Sequence, residues 1–258
     1  MIRVQRHGAE AGQFAGLGEI VIDRPDKRNA LTPEMLAEIG AQAAALEVDA
    51  GVRAIALRGE GSVFCAGFDL SLCRENSDAL EQMLRGLSSA MRTLRRCPKP
   101  VVIAAQGAAI AGGCALLGCA DVVVTHASAK LGYPVVRLGI SPAVNAPVFQ
   151  RSVGDRAARA RLLDPALMDG AEAHRIGLAT FCVDTPEDVV PRAQVEAMRL
   201  ASKPPGAFSV TKRWLNEIDG MDRDEELDRA LAASLALVGR DEERALLAQM
   251  WAKERGGS

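Results

Sequence analysis

The chain has 258 residues, 48% of them apolar but only 3% aromatic, and a formal net charge of −2. This length suits one large domain or a domain with an appendage, with a core built from Ala, Leu, Val and Ile. The near-neutral charge leaves no footprint for nucleic acid, and no membrane span is expected.

In chain order, the opening MIRVQRHGAE holds no apolar stretch of the signal-peptide kind. GEIVID reads as a strand. TPEMLAEIGAQAAALEVD reads as a helix, with Thr32 as N-cap, Pro33 at the first position and an apolar stripe of Leu36, Ile39, Ala43 and Leu46. VRAIALRG is the next strand, and a polar, charged stretch follows from Ser71 to Arg96. KPVVIAAQG, almost wholly apolar, reads as a buried strand, and DVVVTHA as another. AEAHRIGLATFCVD is a helix end stopped at Gly177, then a strand. From Glu187 onward the patterns are helical, broken at KPPG. The expected architecture is a layered α/β core over residues 1–190 and a helical region over 191–258. The six cysteines form no C-x-x-C pair, and several sit in apolar runs where a free thiol acts as a small core group. The expected compartment is the reducing cytosol.

Two glycine turns follow buried strands. FCAGFDL places Gly67 before Phe68, and IAGGCALL places Gly112 and Gly113 at the opening of a helix. Amides at a helix start are unpaired and point outward, and glycine lets a ligand approach them closely. Two such amides aimed at one oxygen stabilise a developing oxyanion by roughly 3–4 kcal/mol each. The bland alternative is that these glycines serve turns and packing alone. Acids are scarce nearby: between Glu81 and Asp155 the only acidic residue is Asp121, which precedes VVVTHA and reads as a cap or anchor. His7, His126 and His174 are placed by no motif, and Cys114 has no evident base to activate it. Tyr133, the sole tyrosine, and the nearby Ser141 and Asn145 are candidate polar contacts. Asp69 reads as a cap for the next helix, and Glu75, Asp78, Glu81 and Arg85 as a solvated helix face.

The ordered series RPDKRNALT, GSVFCAGFDL, KPVVIAAQGAAIAGGCALLGCADVVV, KLGYPVVRLGISPAVNAPVFQRSVGDRAAR and DGAEAHRIGLA resembles the crotonase superfamily, the enoyl-CoA hydratase/isomerase family. The resemblance runs from about Gly18 to Trp251. It implies a spiral of β-β-α units with a C-terminal helical oligomerisation region, and homotrimers or hexamers made of two trimers. It implies a cytoplasmic lyase or isomerase of fatty acid metabolism. An acyl-CoA is its ligand, with no cofactor beyond the coenzyme A thioester and no metal. The backbone amides of Phe68 and Gly112 then form the oxyanion hole. Lys27, Arg28, Ala30 and Ala66 fall where the family binds CoA, and Lys253 lies near its C-terminal basic residue. The two positions that carry glutamates in the family's hydratases hold Ala115 and Val135 here. Superfamily decarboxylases similarly carry Pro-Val in place of Pro-Glu, although their tyrosine after the Gly-x-Pro segment is replaced by Ala143.

Three readings follow. One is an enolate-stabilising enzyme with chemistry of the decarboxylase kind. The second is an atypical hydratase drawing an acid from residues 71–85. The third is an acyl-CoA-binding subunit without catalysis.

Overall fold

The computed structural model describes residues 1–256. Nine strands form two sheets. The larger has the order β1-β2-β3-β4-β6-β9, built from Ile2–Arg6, Leu17–Ile22, Ala54–Gly59, Val101–Ala105, Val122–His126 and Phe181–Val183. Only β1 runs antiparallel to its neighbour; β2, β3, β4, β6 and β9 are parallel. The smaller sheet sets β5 (Ala108–Ile110), β7 (Lys130–Gly132) and β8 (Met168–Asp169) side by side.

The parallel strands are apolar on both faces, and their side chains sort by period two. Ile55, Leu57, Val101, Ile103 and Val123 enter the main core, where α1 (Pro33–Val48) and α2 (Ala79–Arg96) pack. Ala54, Ala56, Val102, Ala104, Val122 and Val124 face the other way, against Val189, Ala193 and Ala197 of α6 (Val189–Ala201). Small residues on that face let α6 lie close. The remaining helices are α3 (Gly112–Leu117), α4 (Ala146–Leu162), α5 (Gly170–Arg175), α7 (Pro205–Asp219), α8 (Glu225–Leu235) and α9 (Asp241–Gly256). None of the described helices is long and apolar enough to cross a membrane.

The first helix matches its sequence signals. Thr32 Oγ1 accepts from Met35 N at 3.3 Å, Pro33 opens the helix, and Leu36, Ile39, Ala43 and Leu46 are buried. The stretch 71–96, polar by composition, is mostly α2. Its Leu80, Met83, Leu84, Leu87, Met91 and Leu94 recur at helical spacing and are buried. Glu81 pairs with Arg85, and Arg92, Arg95 and Arg96, partly buried, pair with Asp219, Asp224 and Asp228. β1 escapes sequence reading because it is short and only Ile2 is buried.

Asp121 anchors the chain, as its position suggests. Its Oδ2 accepts from Val101 N at 2.8 Å and from Lys212 Nζ at 2.7 Å. Lys212 is buried on α7 and also donates to Lys99 O at 3.2 Å. This cluster fastens the C-terminal helices to the end of β4. Lys212→Met keeps the apolar stem and leaves Asp121 short of its cation. It is expected to lower unfolding free energy by about 2 kcal/mol. A urea midpoint equal to that of the parent chain would show the pair contributes nothing.

Candidate functional site

Four segments lie in a row. Leu31 bridges Phe68, Cys65 bridges Ala109, and β5 pairs with β7. The first bridge uses Gly67 O, which accepts from Leu31 N at 2.8 Å, and Asp69 N, which donates to Leu31 O at 2.8 Å. In an extended segment, neighbouring residues turn their polar groups to opposite sides. The Phe68 N–H is therefore turned away from Leu31, toward the third segment. Gly67 has φ 96°, the left-handed region where a side chain is strained, and a Cβ there would stand 3.1 Å from Ile110 O.

On the third segment, Ala111 N donates to Gly132 O at 2.8 Å, and the chain then bends sharply into α3. Ala111 makes the bend with φ 49° and ψ −112°. Such a conformation costs a residue with a Cβ about 1–3 kcal/mol. Gly112 follows as the first helical residue and lies against Phe68: a Cβ on it would stand 2.7 Å from Phe68 Cε1. Among the described residues, neither the Phe68 nor the Gly112 amide has an acceptor within the chain. The two residues thus meet at one spot with two unpaired backbone donors.

Both donors line a cavity of about 320 Å³. Leu70, Leu84 and Leu87 form one wall; Val135, Leu138, Ile140, Pro142 and Val144 form another. Ala66, Ala115, Val135, Tyr133, Ser141 and Asn145 all line it. Among the described residues no acidic residue lines it, and its one charged lining residue is Arg137.

Tyr133 and Asn145 form a buried polar pair. Asn145 Nδ2 donates to Tyr133 Oη at 2.5 Å, leaving Asn145 Oδ1 buried without a partner. The Tyr133 ring meets Phe149 edge-on at 5.3 Å. Burial, with Cys114 against the hydroxyl, pushes Tyr133 well above the usual tyrosine range, so it stays protonated. Burial likewise pushes the Cys65 and Cys114 thiols up to about 12, which removes both as thiolate nucleophiles. Ser141 Oγ accepts from Ala143 N at 3.2 Å and serves its turn.

The other sequence candidates lie apart from this chemistry. Asp69 is a cap: its Oδ1 accepts from Ser71 N at 3.2 Å and its Oδ2 from Arg24 Nη1 at 2.7 Å. His126 Nε2 accepts from Gly107 N at 3.0 Å, which ties the ring to the backbone. His7 meets Glu19, and His174 meets Ala179 O. Glu75 and Asp78 are exposed, and the half-buried Glu81 pairs with Arg85 at 2.8 Å. None of them lines the cavity.

The loop 27–30 borders the cavity through Ala66, whose N donates to Arg28 O at 3.0 Å. Lys27 and Arg28 are exposed, and Ala30 O accepts from Arg24 Nη1 at 3.1 Å. Arg28 and Asn29 both take left-handed conformations. The buried Asn29 fixes them, donating to Glu60 O at 2.9 Å and Val63 O at 2.7 Å. Lys253 is exposed on α9 and lines no part of the cavity. Sequence reading missed Arg137, the α2 leucines and the bend at Ala111. The leucines were detectable from their helical spacing; the other two carry no local signal.

Two sheets with a helical C-terminal region, and paired backbone donors opening on a cavity, define a fold of the crotonase kind. The sequence matches the enoyl-CoA hydratase/isomerase family over residues 12–237, and the chain belongs to that family. It is 34% identical over 206 residues to a putative enoyl-CoA hydratase of Thermus thermophilus, covering 78% of this chain and 81% of that one. It is 33% identical over 227 residues to the crotonyl-CoA hydratase of Syntrophomonas wolfei, covering 86% and 85%. The crystal structure of an enoyl-CoA hydratase/isomerase from Xanthobacter autotrophicus Py2 superposes with a TM-score of 0.82 at 30% identity, covering 98% of this chain and 97% of that one.

The bend at Ala111 makes a direct test. Ala111→Val places a branched side chain in a conformation it strongly resists, and is expected to cost more than about 2 kcal/mol. Ala111→Gly relieves the strain and is expected to be at least as stable as the parent chain, despite its looser unfolded state. Equal melting temperatures for all three chains would mean that the bend carries no strain.

Proposed function

We propose that the cavity binds an acyl-CoA, holds the thioester oxygen between the Phe68 and Gly112 amides, and stabilises an enolate there. The observation that carries this reading is the pair of unpaired backbone donors opening on a cavity that no carboxyl group of the described residues lines. In this reading the loop with Lys27, Arg28 and Ala30, together with Ala66, takes the CoA end, and Lys253 joins it from α9. Tyr133 and Asn145 contact the acyl group.

Hydration needs a group that deprotonates a water and another that protonates the α-carbon. Ala115 and Val135 line the cavity and supply neither. Glu75, Asp78 and Glu81 do not line it, which weighs against the atypical hydratase. Decarboxylation of a malonyl-type thioester needs no protein base. The bond from the α-carbon to the carboxylate breaks, its electron pair becomes the enolate, and the charge settles on the thioester oxygen. CO₂ leaves, and water returns one proton to the α-carbon. The two amides gain as charge develops on the oxygen.

Incubation of the purified protein with methylmalonyl-CoA, followed by mass, is expected to show loss of CO₂. Rapid hydration of crotonyl-CoA would overturn the reading, and tight binding of both esters without turnover would indicate a binding subunit. The double variant Ala115→Glu with Val135→Glu is expected to create or raise crotonyl-CoA hydration. No gain would mean these positions do not flank the reacting carbons.

We also infer a homo-oligomer, a trimer or a pair of trimers. Support comes from α7, where Val210, Trp214, Leu215 and Ile218 are all more than half exposed along one helix. Exposed apolar stretches of this kind mark interaction surfaces. Analytical ultracentrifugation is expected to give the mass of a trimer or hexamer, and Trp214→Glu with Ile218→Glu to give single chains. A monomeric parent chain would overturn the inference.

A further inference from the structure

Two features of the cavity are unused by the enolate chemistry. Arg137 lines it and has no carboxylate or other partner among the described residues. Asn145 is almost wholly buried in the same wall, with one amide atom unpaired after its bond to Tyr133. Resting on the acyl-thioester reading above, we propose that this site selects acyl groups that carry a carboxylate. Arg137 is the capturing cation and Asn145 the buried hydrogen-bond partner.

The row of segments fixes which end of the ligand Arg137 meets. Leu31 and its loop flank Phe68, Cys65 flanks Ala109, and β5 flanks β7, which runs directly into the short 3-10 helix Pro134–Leu138. Lys27 and Arg28 therefore stand at one edge of the row, Arg137 at the other, and the paired amides between them. A thioester seated on the amides sends its two arms to opposite edges. The arm on the Arg137 side also passes Ile140, Val144 and Asn145, which enclose it as an acyl chain requires. The nucleotide arm is left to the exposed loop.

The chemistry of the two groups fits a carboxylate. The arginine fork matches a carboxylate with two parallel hydrogen bonds. The Asn145 amide has two arrangements. As placed, it donates to Tyr133 and leaves Oδ1 unpaired. Turned over, it accepts from the Tyr133 hydroxyl and presents Nδ2 as a free donor. A carboxylate in the cavity favours the second arrangement and satisfies the atom left unpaired. An acyl chain ending in methyl satisfies neither group and leaves the buried amide atom without a partner.

Arg137 is exposed at the mouth of the cavity, which suits capture. During loss of CO₂ the negative charge moves away from the carboxylate toward the thioester oxygen. A cation beside the carboxylate therefore favours the bound ground state, so Arg137 belongs to recognition and not to bond breaking.

Binding of matched esters tests the proposal. Succinyl-CoA and butyryl-CoA have the same chain length and differ by a terminal carboxylate against a methyl. By calorimetry, the full chain is expected to bind succinyl-CoA about tenfold more tightly. Arg137→Gln is expected to abolish the preference while leaving butyryl-CoA within about twofold, and Arg137→Lys to restore part of it. Asn145→Leu is expected to narrow the preference further than it weakens butyryl-CoA. The same comparison with succinyl- and butyryl-pantetheine, which lack the CoA phosphates, is expected to keep the preference.

Equal affinity for the two CoA esters overturns the proposal. So does an Arg137→Gln variant that weakens both esters alike and has no effect on the pantetheine pair, since Arg137 would then serve a CoA phosphate. Failure of every CoA ester to bind would remove the acyl-thioester reading itself, an outcome distinct from equal binding.

Discussion

The site depends on a backbone constraint. In the bridge between Leu31 and Phe68, the residues on either side of Phe68 take up the hydrogen bonds, and Phe68 itself is left facing the other way. The segment it faces ends in a forced bend at Ala111, after which the Gly112 amide starts a helix with nothing to accept from it. Backbone donors inside proteins are nearly always paired. Two unpaired donors on adjoining residues, both on a cavity wall, are an arrangement maintained against that tendency. The glycines make it sterically possible, since side chains at 67 and 112 would run into Ile110 O and the Phe68 ring.

The rest of the molecule holds this arrangement still. The large sheet is buried on both faces, with α1 and α2 on one side and α6 on the other. Its strand β3 leads into the turn that ends in Phe68, while β5 of the smaller sheet leads to Gly112. The bend at Ala111 is tolerated because Gly132 accepts its amide and the six residues of α3 that follow are all buried. Strain at such a point persists only where the surroundings determine the backbone more firmly than local preference does. The Lys212–Asp121 pair extends that determination to the C-terminal helices, joining α7 to the strand beside the site.

Much of this was legible in the sequence because it rests on local rules. A capping threonine followed by proline, an apolar strand without charges and a Gly-Gly helix start each act over a few residues. The α1 boundaries, the burial of β4 and the opening of α3 at Gly112 follow from them. The α2 helix was harder: charged and polar residues are mixed along it, although the leucines keep helical spacing and two of them, Leu84 and Leu87, wall the cavity. Arg137 was out of reach for a different reason. Nothing in VVRLG distinguishes a solvated arginine from one at a cavity mouth; only the run of 3-10 helix after β7 decides that. The unpaired atom of Asn145 is equally invisible, since it depends on a contact with Tyr133 across twelve residues.

The charge distribution of the cavity bears on which chemistry it can perform. A site that hydrates a double bond must bring its own base and acid, and its walls must be polar enough to hold them. Here the walls are mostly apolar, the nearest tyrosine and thiols are held in their neutral forms by burial, and among the described residues the one formal charge is positive. Negative charge can then enter only with the ligand. In the proposed reading, a carboxylate on the acyl group would supply both what Arg137 recognises and the electrons that the two amides stabilise after CO₂ departs. A neutral acyl group would supply neither, so the proposed reaction and the proposed selectivity call for the same kind of ligand.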